Sequence, residues 1–314
     1  MEGGEADKNG GMSRKAKVFL ALGLYLLTTF AFFVIFGSSG ENEDFLPQNE
    51  FLLDPWISIQ IGPADMSINK AVLYLALASA ATIAVMTYIA NRMQRQPNKV
   101  QMAVELAYDL TRDNITRGNI PDQTLARKWF PYLAALFFFI WFSNMLGYIP
   151  LPTNTEHTID IFGLSVPTLA IYAATANISI PLVLALVSTV AYHLEGIREK
   201  GGLAYFKSWL PPGLESMNPV AKALIFMIEA ISHLVRPISL SVRLFANVLA
   251  GHLLILFMAG GLAVLLGIAA LGVFTFPAAF AFFVFEIGLV ATLQAFIFST
   301  LTAIYIGGAT AESH

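Results

Sequence analysis

The chain has 314 residues, of which 56% are hydrophobic and only 12% are charged, about half the charged fraction of a soluble domain. Its formal net charge of -3, with basic residues scattered over short connecting loops, argues against nucleic acid as a partner. The absence of cysteine excludes disulfides and thiolate metal sites. Neither common phosphate-cradling glycine motif occurs, so we expect no bound nucleotide, cofactor or metal. The composition predicts a protein whose solvent is the lipid bilayer.

Six apolar segments are long enough to cross about 30 Å of hydrocarbon as helices. The sequence therefore predicts an all-α membrane protein with about six membrane-embedded helices, at residues 18–37, 71–90, 130–149, 166–194, 221–258 and 262–308. The last two exceed the length of a perpendicular span, so we expect them to be strongly tilted or partly horizontal. Pro237 should kink or break the fifth segment, and the helical part of the sixth should begin near Pro277.

The distribution of lysine and arginine predicts the orientation, because these residues favour cytoplasmic loops. Basic residues precede the first segment and fill the connections from the second to the third and from the fourth to the fifth. The loops at 38–68 and 151–165 contain none. We therefore expect those two loops outside and both termini in the cytoplasm. The acidic start of the chain does not resemble an organellar transit peptide, which favours a bacterial plasma (inner) membrane.

The first apolar segment has two interpretations. Basic residues precede it and small residues follow it, as in a signal peptide. Its apolar run is longer than the hydrophobic region of a usual signal peptide, which favours a retained anchor. The predicted organisation is a cytoplasmic tail, an additional transmembrane anchor or signal peptide, an acidic outer loop and a membrane domain, at residues 1–17, 18–37, 38–68 and 69–314. Within the membrane domain, residues 99–113 show the spacing of an amphipathic helix on the inner membrane surface.

Arg243 is the most informative residue, because it lies in the middle of an apolar segment. A guanidinium cannot lose its proton there, and an intramembrane charge costs roughly 3 kcal/mol or more. It belongs to a polar series of Glu229, Arg236, Ser239, Arg243 and Asn247, whose steps of seven, three, four and four put them on one side of a helix. Arg236 can pair with Glu229, so a structural role and a functional role stay open for it. Arg243 has no acid within two turns on its own helix, which indicates a functional charge.

A sparser polar series marks the last segment. Glu286, Gln294 and Tyr305 lie among phenylalanine and aliphatic side chains. A carboxylate isolated at that depth takes up a proton readily, as a relay group does. On the fifth segment, His252 lies near the outer end and His233 lies one turn before Arg236.

Other polar residues have competing interpretations. Asn177 and Ser179 in the fourth segment are either hydrogen-bonding glue between helices or the lining of a water path. His157 and His193 lie in or near loops, so we expect both to be solvated.

Two strings resemble the signature segments of subunit a of F-type ATP synthases, PISLSVRLFANVLAGHLL at Pro237–Leu254 and LQAFIFSTLTAIYIGGA at Leu293–Ala309. The similarity extends upstream through QMAVELAYDL, FSNMLGYIP and ATANISIPLVLAL and covers most of residues 70–310. It combines an intramembrane arginine, an asparagine one turn later and a Gln-Ala pair in the last helix.

This resemblance implies a non-catalytic, proton-conducting stator subunit. Arg243 would be the essential arginine facing the carboxylates of a rotating ring of c subunits, with Asn247 and Gln294 beside it. Two offset half-channels would couple proton flow to rotation of the ring and hence to ATP synthesis. The implied partners are the c-ring, the peripheral-stalk b subunits, the rest of the ATP synthase and the lipid bilayer. Whether the coupled cation is H⁺ or Na⁺ depends on the binding site of the rotor.

The resemblance also implies which residues line the half-channels. His252 and Glu286 would form the outer path, and Ser239 with Glu229 would line the inner path, with Tyr305 close by. In some members of the family the acid lies on the fifth helix and the histidine on the sixth. Here the two are exchanged, which keeps one acid and one imidazole across the gap between the helices.

The position of Glu286 departs from the family pattern. Glu286 precedes Gln294 by eight residues, whereas the usual spacing is seven. One extra residue turns Glu286 by about 100° around the helix axis, unless a bulge absorbs it.

Two further classes of protein compete with the stator interpretation. A proton- or ion-coupled secondary transporter would also carry Arg, Glu and His at mid-depth, but it usually shows internal repeats, which this sequence lacks. A purely structural membrane scaffold would not need the polar series around Arg243.

Overall fold

The computed structural model describes residues 51–62, 64–91, 93–94, 96, 98–161, 164–210, 218–261 and 269–311, together with scattered residues between 15 and 31. The predicted first span, 18–37, lies largely outside the described residues, and those of its residues that are described are helical. The predicted tail and most of the acidic outer loop also lie outside them.

Five helices in the described part are long and apolar enough to cross a membrane, which confirms the predicted all-α membrane class. In chain order the α-helices are α1 Lys70–Asn91, α2 Lys99–Asp109, α3 Gln123–Leu146, α4 Ser179–Lys200, α5 Gly202–Lys207, α6 Pro219–Leu256, α7 Ala269–Phe285 and α8 Ala291–Thr310. Three π-helical turns, at Leu110–Arg117, Phe257–Gly261 and Glu286–Val290, and a 3₁₀ turn at Ala174–Ala176 adjoin them.

Two antiparallel hairpins occupy segments that were expected to be loops or helix. One pairs β1 (Gln60–Ile61) with β2 (Ala64–Asp65). The other pairs β3 (Leu151–Ile161) with β4 (Leu164–Ala170), in a register that sets Leu151 opposite Ala170. These hairpins satisfy backbone groups between the membrane helices, where no helix supplies the partners.

The predicted start of the fourth span at residue 166 was wrong. Residues up to Ala170 belong to β4, and α4 begins only at Ser179. Pro167 cannot donate a helical hydrogen bond, whereas Pro181 lies in the first turn of α4, where no donor is needed. The main-chain N–H of Ser179 donates to Asn177 Oδ1 over 3.0 Å and so satisfies the start of the helix.

Pro237 does not break α6, which runs without interruption from Pro219 to Leu256. Membrane helices tolerate an internal proline where neighbouring helices pack around it, and Pro237 is buried. Similarly, α7 begins at Ala269 and contains Pro277, so the predicted start near Pro277 was also wrong.

The helix α3 lies at the centre of the packing and contacts α1 and α8. Its buried residues, including Leu133, Phe137 and Ile140, share a core cluster with Leu244 of α6 and Phe298 of α8. Polar contacts also join α3 to its neighbours. Trp141 Nε1 of α3 donates to Thr292 Oγ1 of α8 over 3.0 Å. Towards α4, the Tyr132 and Ser188 hydroxyls lie 3.0 Å apart and Lys128 pairs with the buried Glu195. This packing holds α4, α6 and α8 around α3.

The predicted amphipathic helix at 99–113 is present as α2 and the π-helical turn that follows it. Arg112 binds Asp113 through two bonds of 3.0 and 2.8 Å. These hydrogen bonds from Arg112 hold the pKa of Asp113 below its usual value. The location of α2 on the inner membrane surface stays a prediction.

The chain divides into two compact units. One contains Gln48–Leu253 and Phe283–His314, and it holds every residue of the candidate site described below. The other contains Met1–Pro47 and Leu254–Phe282, and its described part includes the end of α6 and most of α7.

Candidate functional site

One side of α6 is exposed over most of its length. The exposed residues on this side follow helical spacing, so that each has another three or four residues along the chain. They are Leu224, Met227, Ile228, Ile231, Leu234, Val235, Ile238, Ser239, Val242, Arg243, Ala246, Asn247 and Ala250. We call this set the exposed face of α6. Its only polar members are Ser239, Arg243 and Asn247, which follow one another at steps of four. An apolar face of this kind needs lipid or another protein against it.

Arg243 lies in this face. Among the residues that the structure describes, none forms an ion pair or a hydrogen bond with its guanidinium. Ser239 and Asn247 lie one turn away on either side, but the other exposed neighbours, Val242 and Ala246, and the rest of the face are apolar, so the face is not suited to bulk water. A permanent cation in such surroundings requires a counter-charge from outside the described chain.

A second cluster forms around the first half of α6. Arg236 Nη2 donates to Glu229 Oε1 over 3.1 Å, so the predicted pairing is present. Arg236 Nη1 also lies 3.2 Å from His233 Nδ1, and its guanidinium lies 5.2 Å from the centre of the Tyr305 ring. Because arginine can only donate, Nδ1 accepts, and the proton of His233 is on Nε2, which faces Glu229 Oε1 at 3.6 Å. Arg236 is thus neutralised within the chain, unlike Arg243.

This cluster opens into a cavity of about 400 Å³. Its lining includes Glu229, His233, Arg236 and Tyr305 together with Lys200 and Ser208 of the preceding connection. The cavity therefore joins the polar residues of α6 and α8 to a hydrophilic opening near the end of α4. Ser239, which was predicted to line the same path, belongs to the exposed face of α6 and not to the lining of this cavity, so its role stays a prediction.

Several aromatic residues that were not predicted from the sequence surround His233, and we call them the aromatic wall. Trp209 stacks on His233 with ring centres 4.3 Å apart, and the Tyr192 hydroxyl lies 3.2 Å from His233 Nδ1. His193 was expected to be solvated, but it is half-buried, with Nδ1 2.7 Å from the Tyr205 hydroxyl. The available signal was the run Tyr205, Phe206 and Trp209 immediately after a basic helix end, which is typical of a membrane interface.

His252 lies on the opposite side of α6 from Arg243, because nine residues turn a helix by about 180° beyond whole turns. Its side chain is 4% exposed. Nδ1 lies 3.0 Å from the Val248 carbonyl oxygen, and Nε2 lies 3.1 Å from the Gly147 carbonyl oxygen. Carbonyl oxygens only accept, and a neutral imidazole has one N–H, so a second bound proton would satisfy both contacts.

Glu286 and Gln294 are separated by the π-helical turn Glu286–Val290. Such a turn absorbs one extra residue, so the bulge alternative is confirmed and the eight-residue spacing does not turn Glu286 away from the interior. Glu286 is 9% exposed and Gln294 is 5% exposed. Glu286 Oε2 accepts a hydrogen bond of 3.0 Å from the Tyr148 hydroxyl.

Gly251 allows this carboxyl group to approach α6. A Cβ atom built on Gly251 would collide with the Glu286 carboxyl group, including Oε1 at 2.7 Å. Gly251 immediately precedes His252. The Glu286 carboxyl group therefore lies against α6 at the position next to the residue that carries the imidazole.

A family model described as ATP synthase A chain matches residues 72–307. The chain belongs to this family. Relatives named ATP synthase subunit a include those of Rubrobacter xylanophilus (35% identical over 80% of this chain and 87% of the relative), Frankia alni (35% over 85% and 86%) and Rhodospirillum rubrum (31% over 84% and 97%). The resemblance carried by the two signature strings is thereby confirmed.

The remaining candidate residues of this ATP synthase A chain family member have plainer surroundings. Asn177 accepts the hydrogen bond from Ser179 that begins α4, which is a local structural role. Ser179 itself is exposed. His157 is in β3, and its side chain lies outside the described residues.

Proposed function

We propose that this chain is the non-catalytic, proton-conducting stator subunit of an F-type ATP synthase, with two offset half-channels and Arg243 between them. The observation that carries the proposal is the guanidinium of Arg243, which lies in an exposed, largely apolar helix face and has no partner in the part of the chain that the structure describes. A ring of c subunits with a carboxylate at the same depth would supply both the missing counter-charge and the missing apolar surface.

The spacing of the two polar clusters along α6 supports the offset half-channels. Glu229 and His252 are 23 residues apart, which is about 35 Å along a helix axis. Arg243 lies between them, about 14 Å along the axis from His252 and about 21 Å from Glu229. We assign His252 and Glu286 to the outer half-channel, and Glu229 with the adjoining cavity to the inner one. Asn247 and Gln294 would flank the rotor carboxylate near Arg243, and Ser239 would lie on the inner side of it.

The proposed mechanism needs no covalent chemistry in this chain. A proton from the outer cluster neutralises a rotor carboxylate, which can then turn through lipid and release the proton at the inner cavity. The fixed charge of Arg243 favours the ionised rotor carboxylate between the half-channels and bars direct passage of protons. Each proton contributes about 2.3 kcal/mol per 100 mV of membrane potential.

The same proposal covers the surroundings of the chain. The chain is a multi-pass membrane protein. Its basic loops favour a cytoplasmic location for both termini, and we propose that the membrane is a bacterial plasma membrane. We further propose that residues 1–17, 18–37 and 38–68 form a tail, an anchor and an outer loop added to the membrane domain 69–314. Peripheral-stalk b subunits and the rest of the F-type ATP synthase complete the set of partners.

Copurification tests this proposal against a secondary transporter. Mild detergent extraction of the affinity-tagged chain should recover a ring of small hairpin proteins together with ATPase subunits. Recovery of the chain alone, with solute uptake by liposomes that contain only this chain, would instead establish the transporter.

Gly251→Ala should slow proton-driven ATP synthesis roughly tenfold, because the new methyl group displaces the Glu286 carboxyl group and a hydrogen bond to a charged group is worth about 1.5 kcal/mol or more. Synthesis in reconstituted liposomes measures the effect. Gly288→Ala is the matched control, since a Cβ atom at Gly288 meets nothing within 4 Å. Equal rates for the two variants would rule out a role for the Gly251 contact.

A further inference from the structure

We propose that Tyr148 is a positioning residue of the outer half-channel, which holds Glu286 and His252 in their relative places; this inference rests on the proposed function. Tyr148 is 2% exposed and lies just beyond the end of α3. Its hydroxyl donates to Glu286 Oε2 over 3.0 Å. Its ring lies against the His252 imidazole, with ring centres 4.6 Å apart and 33° between the planes. Tyr148 therefore contacts both groups to which the outer path is assigned.

The backbone around Tyr148 fixes it in this position. The N–H of Tyr148 donates to Met145 O over 3.2 Å, which continues the last turn of α3. Gly147 approaches Ala173 so closely that a Cβ atom on Gly147 would lie 2.7 Å from Ala173 Cα. The Gly147 carbonyl oxygen in turn lies 3.1 Å from His252 Nε2. The Gly147–Tyr148 pair thus contacts His252 through its main chain and Glu286 through its side chain.

The chemistry of the phenol suits a permanent donor. A phenol keeps its proton at physiological pH, so the Tyr148 hydroxyl is available as a donor throughout that range. A permanent O–H donor stabilises the ionised carboxylate more than the neutral acid. Tyr148 therefore helps Glu286 to give up its proton to the rotor. The aromatic ring also covers one face of His252 and excludes water from it.

Tyr148→Phe removes the hydroxyl and keeps the ring, so the variant should fold and assemble. Without the O–H donor, Glu286 retains its proton to higher pH. We expect the dependence of ATP synthesis on outer-side pH to move upward by about one pH unit, the equivalent of one charge-assisted hydrogen bond, with a lower maximal rate. The measurement uses the purified holoenzyme in liposomes, with lumenal pH varied at a fixed potassium diffusion potential.

Tyr172→Phe is the matched control, because Tyr172 is also buried and its hydroxyl has no hydrogen-bond partner among the described residues. This control should keep the wild-type pH profile. A wild-type profile and rate for Tyr148→Phe would overturn the inference. Arg243→Ala in the same preparation distinguishes a failure of the proposed function from a failure of the role of Tyr148. If Arg243→Ala is inactive while Tyr148→Phe is normal, only the role of Tyr148 is refuted. If Arg243→Ala is fully active, the proposed function is refuted.

Discussion

Replacing Arg243 by alanine is expected to abolish ATP-driven proton pumping in inverted membrane vesicles. The guanidinium is the charge on the exposed face of α6 for which the described residues supply no counter-charge. Without it, nothing favours ionisation of the rotor carboxylate between the half-channels, and protons can pass directly from one to the other. The quenching of a pH-sensitive dye on addition of ATP measures pumping, and the membrane-bound ATPase activity shows that the complex has assembled.

Two companion variants sharpen this result. Arg243→Lys should also fail, because an ammonium lacks the planar, multi-donor geometry of a guanidinium and can lose its proton in a dry environment. Val242→Ala changes the adjacent residue of the same exposed face and should pump normally. Normal pumping by Arg243→Ala would refute the functional assignment of this residue.

The second large effect is expected at Glu286. Glu286→Gln keeps the shape of the side chain and an oxygen that can accept from Tyr148, but the amide cannot carry a proton. Proton transfer by a well-placed acid or base contributes about 100-fold or more to a rate. We therefore expect ATP-driven pumping and ATP synthesis to fall by about that factor, as measured in reconstituted liposomes.

An exposed acid on another helix provides the comparison. Glu199→Gln removes a solvent-exposed carboxylate near the end of α4 and should leave both rates unchanged. Glu286→Asp, which shortens the side chain but keeps the acid, should retain more activity than Glu286→Gln. If Glu286→Gln assembles fully and works at the wild-type rate, protons do not pass through this carboxyl group.

The sequence predicted those features of the fold that depend on local composition. Length and hydropathy identified the membrane helices, and the four-residue steps of Ser239, Arg243 and Asn247 put these three on one exposed face. The irregular spacing of Glu286 from Gln294 left two alternatives, a carboxyl group turned by about 100° around the helix axis or a bulge that absorbs the extra residue, and the structure has the bulge as a π-helical turn. Periodicity along a single helix is enough for each of these inferences.

Contacts between distant parts of the chain could not be predicted in this way. Tyr148 and Glu286 are 138 residues apart, and their contact depends on how α3 packs against α8. The aromatic wall around His233 likewise needs α4, α5 and α6 together. The start of α4 was misjudged because residues 166–178 are as apolar as a helix, although they form β4 and a turn.

Cross-linking to the rotor tests the central claim most directly. The chain contains no cysteine, so single cysteines can be introduced on the exposed face at Ile238 and Ala246, and on the buried face at Leu240 and Val248. With single cysteines at matching depth in the c subunit, mild oxidation should join only the Ile238→Cys and Ala246→Cys variants to the ring and block its ATP-driven rotation. Cross-links to the ring from the buried positions alone, or from none of the four, would contradict the assignment of Arg243 and its face to the rotor.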